Sequence, residues 1–329
     1  MGVLGAGATG ARVARQLLAT DSATEVVMAD VDSERRDAVV RTLGSKAWAV
    51  REGDIVDHGI DVLVVSAPCG RHVRPVRRAI DAGVPAVSTS DRVEDVEALL
   101  TMHDNAVSNG VTVLAGVGFA PGLSCMLAAF CAERFDLVDE VHVAKEGTGG
   151  PACARQHHRA LSSAARDWRD GKWLRRPGGS GRELIWFPEP IGGSDCYRAA
   201  LPDALLLHPS FPGADRITAR VAATRQDRFT SWLPMLSPPH PEGGLGAVRV
   251  ELRGRRAGRR VVDILGAVER PAIAAAAVAA ISVDAITQDW GLEAGVSGLA
   301  GAVDARRFLR VLKSRGVRAQ EFAGLFGTP

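Results

Sequence analysis

Three glycines and one carboxylate carry the clearest chemistry in this chain. Gly5-Ala6-Gly7-Ala8-Thr9-Gly10 follows an apolar start, Val3-Leu4, and opens a stretch of helical character, Ala11 to Ala19. A second apolar segment, Glu25 to Ala29, ends in Asp30, twenty residues after Gly10. Strand, glycine turn, helix and a distant acidic residue are the parts of a dinucleotide cradle. Gly5 permits the tight turn, Gly7 lets the main chain approach a pyrophosphate, and Gly10 lets the helix pack on the strand. The free N–H groups at the helix start, around Ala8 and Thr9, then face the phosphates. A carboxylate at Asp30 accepts hydrogen bonds from the adenosine ribose hydroxyls and repels a 2′-phosphate. The expected cofactor is therefore NAD or NADP, with NAD favoured. Arg35 and Arg36 lie close enough to soften that preference, or else they belong to a solvated helix turn.

The elements that position these residues alternate through residues 1 to 121. Val62-Leu63-Val64-Val65 is a continuous apolar run, as a parallel strand buried on both faces should be. It leads into Ser66-Ala67-Pro68-Cys69-Gly70. Strands are expected at Pro85 to Thr89 and Val111 to Ala115, with helices at Asp32 to Leu43 (Asp32 as N-cap), His72 to Ala82 and Arg92 to Ser108. Repeated strand–helix–strand units predict an α/β Rossmann domain built on a doubly wound parallel sheet. Ligands sit at the carboxyl ends of such strands. One crevice should thus gather Gly5 to Gly10, Asp30, Ser66 to Gly70, Thr89 to Asp91 and Gly116 to Gly122. Within it Ser66, Ala67, Pro68, Ser90, Phe119, Pro121 and Gly122 are the expected further cofactor contacts. The first strand is cramped: either it is short, or the natural chain begins upstream of Met1.

After Gly122 the pattern changes. Strand candidates at Val138 to Ala144, Glu183 to Phe187, Tyr197 to Ala200, Ile217 to Ala223, Ala247 to Arg253 and Arg260 to Leu265, with a helix at Ala154 to Trp168, predict an inserted α+β substrate domain. That domain should rest on a mostly antiparallel sheet. The boundaries expected are 122–270 for this substrate and dimerisation domain. Residues 1–121 and 271–329 form the dinucleotide domain with returning C-terminal helices. Lys145 ends a strand aimed at the cleft and is a candidate proton donor, as are His157 and Tyr197. Arg155, His158 and Asp195 are candidates for substrate binding. His157 and His158 lie about 100° apart on a helix, so at most one faces a site.

Composition removes several classes. The net charge is +2, and the arginines between Arg253 and Arg260 lack interleaved aromatic residues, so no nucleic-acid surface is expected. The longest apolar run, Ala272 to Ile281, is shorter than the roughly 20 residues a bilayer requires. It reads as a packed internal helix or a homodimer contact. Five cysteines with no C-x-x-C pair point to a reducing cytoplasm with the thiols buried or idle, and no metal cluster is expected.

The motifs also resemble the saccharopine dehydrogenase-like oxidoreductases. The likeness rests on Gly5 to Gly10, on Ser66-Ala67-Pro68, and on Ala82-Gly83-Val84-Pro85 leading to Ser88-Thr89-Ser90-Asp91. Its most specific piece is Gly116-Val117-Gly118-Phe119-Ala120-Pro121-Gly122-Leu123-Ser124. Diaminopimelate dehydrogenase is a more distant relative of that family. The resemblance implies hydride transfer between a nicotinamide cofactor and a carbon–nitrogen bond of a small amino-acid-like substrate. Two other readings of the chain are an enzyme that uses NAD without net redox and a nucleotide-sensing protein without turnover.

Overall fold

The computed structural model describes residues 1–235 and 238–321. Short runs of Val, Leu, Ile and Ala form seven strands in one parallel sheet. Its spatial order is Gly295–Ser297, Thr112–Leu114, Ala86–Ser88, Leu63–Val65, Gly2–Leu4, Val26–Ala29 and Ala47–Val50. Chain order reverses at Gly2–Leu4, which pairs with Val26–Ala29 on one side and Leu63–Val65 on the other. A doubly wound sheet opens its ligand crevice at this reversal. The expected Rossmann architecture is present, and Asp32 caps the helix Ser33–Leu43 by accepting from the Arg35 N–H at 3.0 Å.

The second sheet has nine strands. Its central pair is long: Leu137–Glu146 lies antiparallel to Gly246–Arg256 and parallel to Arg216–Ala222. All its other pairings are antiparallel. Side chains alternate along a strand, so Val141, Val143 and Lys145 share one face. That face is buried, with Lys145 only 1% exposed. A lysine ending an otherwise apolar stripe is thereby carried into the interior, under the crevice of the first sheet.

Several elements differ from expectation. The segment expected as a helix over 154–168 is a helix only over Pro151–Ala160, followed by the strand Ala165–Arg169. The hydroxyls of Ser162 and Ser163 donate to the Arg159 carbonyl and satisfy the end of the shortened helix. Arg92 to Ser108 is two helices, Val93–Leu100 and His103–Ser108. The C-terminal segment is not helical throughout. Gly295–Ser297 completes the edge of the first sheet, and Ala319–Glu321 joins the second sheet beside Arg259–Glu269. The end of the expected 271–329 segment, 322–329, lies outside the described residues.

The apolar run is the helix Pro271–Thr287, which packs against Ala8–Ala19. From Ala274 to Ile281 its residues are buried within the single chain, which removes it as the surface for a homodimer contact. Among the described residues no helix is long and apolar enough to cross a membrane. Asp284 near the end of this helix pairs with Arg315, and both side chains are at most 7% exposed. Removing one member of such a pair leaves a buried charge alone. Arg315→Ala should therefore cost about 3 kcal/mol in urea unfolding, while Arg315→Ala combined with Asp284→Ala should recover part of the loss. A single variant as stable as the parent would contradict this pairing.

Candidate active site

The cradle end follows from local backbone chemistry. Helix Ala8–Ala19 starts at Gly7 with no side-chain cap and no acidic residue in its first turn. Its leading N–H groups are open to an anion. Gly5 has φ +109°, and a Cβ there would strike the Ser66 carbonyl; a Cβ at Gly10 would strike the Gly5 carbonyl. These two glycines are demanded by the protein's own packing. Gly7 is different. Its φ of −74° suits any residue, and an added Cβ would meet nothing within 4 Å. Neither backbone nor packing requires glycine there. A ligand coming up against the main chain would, as a pyrophosphate does at the second glycine of a dinucleotide-binding turn.

Asp30 ties the cradle together. One carboxylate oxygen accepts from the Ala6 N–H at 2.6 Å; the other accepts from the Asp32 N–H at 2.8 Å and from Arg35 at 2.6 Å. Burial opposes its charge, but these donors hold its carboxyl below the usual carboxylate range. Asp30 is thus an anion where the ribose of a bound dinucleotide would lie. Arg35, its partner, lines the same cavity.

A single cavity of about 250 Å³ runs from this cradle to the second sheet. At its far end stands Asp91, just beyond the strand Ala86–Ser88. Its Oδ2 is 2.7 Å from His157 Nε2, 3.5 Å from Cys153 Sγ and 3.6 Å from Lys145 Nζ, while Cys69 Sγ donates to its Oδ1 at 3.2 Å. Burial works against the Asp91 charge, yet Lys145 and His157 hold its carboxyl far below the ordinary range. Lys145 Nζ also donates to the Ala120 carbonyl at 2.6 Å. Burial likewise opposes a charge on His157; Cys153 raises it, Lys145 lowers it and Asp91 raises it, and the net result is a pKa of about 9. Deeper in, Asp203 accepts from the Ser124 hydroxyl at 2.6 Å, and burial pushes its carboxyl up.

The loop between cradle and Asp91 is held by a neutral histidine. His72 Nε2 donates to the Ala67 carbonyl at 2.8 Å, so Nδ1 accepts from the Ser88 hydroxyl at 2.9 Å. Burial lowers the His72 pKa, in keeping with that tautomer.

The cavity brings together Gly5, Gly7, Ala8, Thr9, Asp30, Ser66, Ala67, Pro68, Phe119 and Pro121 with Lys145, Arg155 and His157. Other expected residues lie off its wall. Gly10 is packed on the Gly5 turn, and Gly122, at φ +117°, backs onto Gly118. Ser90 turns away to donate to Asp95 at 2.7 Å. His158 points the other way around its helix, with Nε2 3.0 Å from the Thr230 carbonyl and 3.2 Å from that of Leu233. Tyr197 is 1% exposed in the core with Arg228 over its ring. Asp195 pairs with Arg182 at 2.8 Å near the sheet edge. Cys69 and Cys153, expected to be buried or idle, line the cavity instead. Cys153 and His157 are four apart on one helix, a spacing visible in the sequence that puts both on one face.

Comparisons with known proteins agree with this geometry at the level of fold. Residues 1–95 match the family model described as NADP oxidoreductase coenzyme F420-dependent. The whole structure is similar to apo saccharopine dehydrogenase (L-Glu forming) from Saccharomyces cerevisiae, with a TM-score of 0.70 and 16% identity over 98% of this chain and 99% of that one. A probable dehydrogenase from Thermotoga maritima gives a TM-score of 0.53 and 12% identity over 97% of this chain and 98% of the other. Across its described residues the chain therefore has the two-sheet fold of saccharopine dehydrogenase.

The His157 pKa gives a pH signature. It is raised on folding, so its stabilising contribution is complete below about pH 6.5 and is lost as pH rises through about 9. Unfolding free energy from urea titrations run with a chelator present should fall across that window, and His157→Gln should flatten the fall. A parent slope that His157→Gln leaves unchanged would contradict the assignment.

Proposed function

We propose that the chain is an NAD(P)-dependent oxidoreductase that reduces an imine, or oxidises the corresponding amine, of a small amino-acid-like substrate. The observation that carries this reading is the continuity of one cavity. The same space touches the Gly7 cradle and Asp30 at one end and Lys145, Asp91 and His157 at the other. A dinucleotide lying on the cradle would supply the hydride. The protein's own groups then have to orient the substrate, exclude water and handle one proton.

Lys145 is the group placed to handle that proton at Nζ. The Ala120 carbonyl and Asp91 fix the ammonium, and burial at 1% exposure keeps bulk water away. A held donor beside the reacting nitrogen is worth about 10²- to 10⁴-fold in rate. His157 and Asp91 hold the charge balance around it. Arg155, exposed on the cavity wall, is suited to a substrate carboxylate. The carbon–nitrogen bond and the amino-acid-like substrate draw support from the motifs shared with saccharopine dehydrogenases and from likeness to that fold along the full chain. NAD is preferred over NADP because the Asp30 carboxylate would repel a 2′-phosphate.

Two variants separate the cradle from the chemistry. Gly7→Val puts a side chain on a position whose Cβ meets no protein atom within 4 Å. NADH affinity by fluorescence titration should fall at least ~10-fold, a loss of about 1.4 kcal/mol, with the melting temperature nearly unchanged. Normal NADH binding by this variant would overturn the cradle assignment. Lys145→Met should keep NADH binding but lose about 10²-fold or more in kcat on an imine or amine substrate found by screening. Full turnover by Lys145→Met would remove the lysine from the reaction.

A further inference from the structure

We infer that Asp91, Cys153 and His157 form a binding site for one divalent cation of the zinc class at the far end of the cavity. The inference stands apart from the dinucleotide reading, because it rests on the spacing of three ligand atoms rather than on the cradle.

The donor set is the first argument. A thiolate, an imidazole nitrogen and a carboxylate oxygen are the three ligand types zinc takes, and three protein ligands with an open fourth position make a reactive rather than a purely structural site. Nothing in the hydride chemistry calls for Cys153, yet its sulfur is turned toward the other two groups. The ligand atoms lie within 4.8 Å of one another.

Geometry is the second. With Zn–S of about 2.3 Å and Zn–N and Zn–O of about 2.0–2.1 Å, tetrahedral angles separate sulfur from nitrogen or oxygen by roughly 3.5 Å. Cys153 Sγ stands 3.5 Å from His157 Nε2 and 3.5 Å from Asp91 Oδ2. Both edges are already at the length a bound cation requires. Only the third edge must open: His157 Nε2 and Asp91 Oδ2 are 2.7 Å apart, held by a hydrogen bond that the cation would replace.

Positioning is the third. Cys153 and His157 are successive residues on one face of the helix Pro151–Ala160, and Asp91 is fixed on the facing strand end. Cys153 lies in the first turn of that helix, on the side that lines the cavity. Binding exchanges the thiol proton and the Nε2 proton for the cation, and both protons leave to solvent. The thiolate and the Asp91 carboxylate together match the dication's charge, so the neighbouring Lys145 ammonium keeps its own partner at the Ala120 carbonyl. All three ligands line the cavity, so the fourth position opens toward it and is available to a water or to a nitrogen or oxygen of a substrate.

The test uses the full-length protein stripped with a chelator and then titrated with Co²⁺ as a spectroscopic stand-in, with Zn²⁺ content measured in parallel by mass spectrometry. One metal per chain is expected, with the visible bands of tetrahedral cobalt and a thiolate-to-cobalt charge-transfer band in the near ultraviolet. Cys153→Ser should abolish the charge-transfer band, and Cys69→Ser should retain it. The absence of that band in the parent protein, or its survival in Cys153→Ser, overturns the site. NADH titration of the same samples keeps the two readings distinct: normal NADH binding without the cobalt band sinks the cation site alone.

Discussion

The structure turns on one largely enclosed carboxylate. Asp91 lies just beyond the end of a parallel strand with its side chain 15% exposed, and a charge held mostly away from water is costly when it stands alone. Its own half supplies only the Cys69 thiol, which donates to Oδ1. The cations come from elsewhere: Lys145 from the central strand of the second sheet and His157 from the helix beside it, with Cys153. The charge on Asp91 is therefore offset by cations only when the two halves are assembled against each other. The same contact defines the far wall of the cavity, so the docking of the halves and the shape of the site are one constraint.

That constraint explains why a lysine can end a buried apolar stripe. Val141 and Val143 bury the face of the strand, and Lys145 continues that face until its Nζ meets Ala120 and Asp91. The Phe119 to Gly122 turn, in which Gly122 has φ +117° and backs onto Gly118, presents the Ala120 carbonyl to Lys145. A turn that reads in the sequence as a cofactor contact thus also presents the acceptor that fixes the candidate proton donor.

Much of the first sheet was legible because its signals are local. Apolar runs, glycine turns and an acidic strand end each report on a few neighbouring residues, and the parallel-sheet rule then gathers the loops. The second half was harder for a physical reason: strand periodicity tells which side chains share a face, but not which face meets the crevice. Tyr197 and Asp195 are candidates by type alone. In the structure one is core and the other pairs with Arg182 near an edge. His157 and His158 were known to diverge, but choosing between them needs the packing of their helix. Asp91 was visible as a strand-end residue, and its role depends on partners 54 to 66 positions away. The three-residue strands at 295–297 and 319–321 have too little pattern to be read before the sheets they complete are known.

One cavity runs from the Gly7 turn to the cluster around Asp91, and the proposed chemistry requires a dinucleotide to lie along it. A crystal structure of the NADH complex tests it most directly. The pyrophosphate is expected against Gly7, the adenosine ribose on Asp30, and the nicotinamide ring beside Lys145 and Asp91. A dinucleotide bound elsewhere, or one whose nicotinamide points away from Lys145 and Asp91, would contradict it.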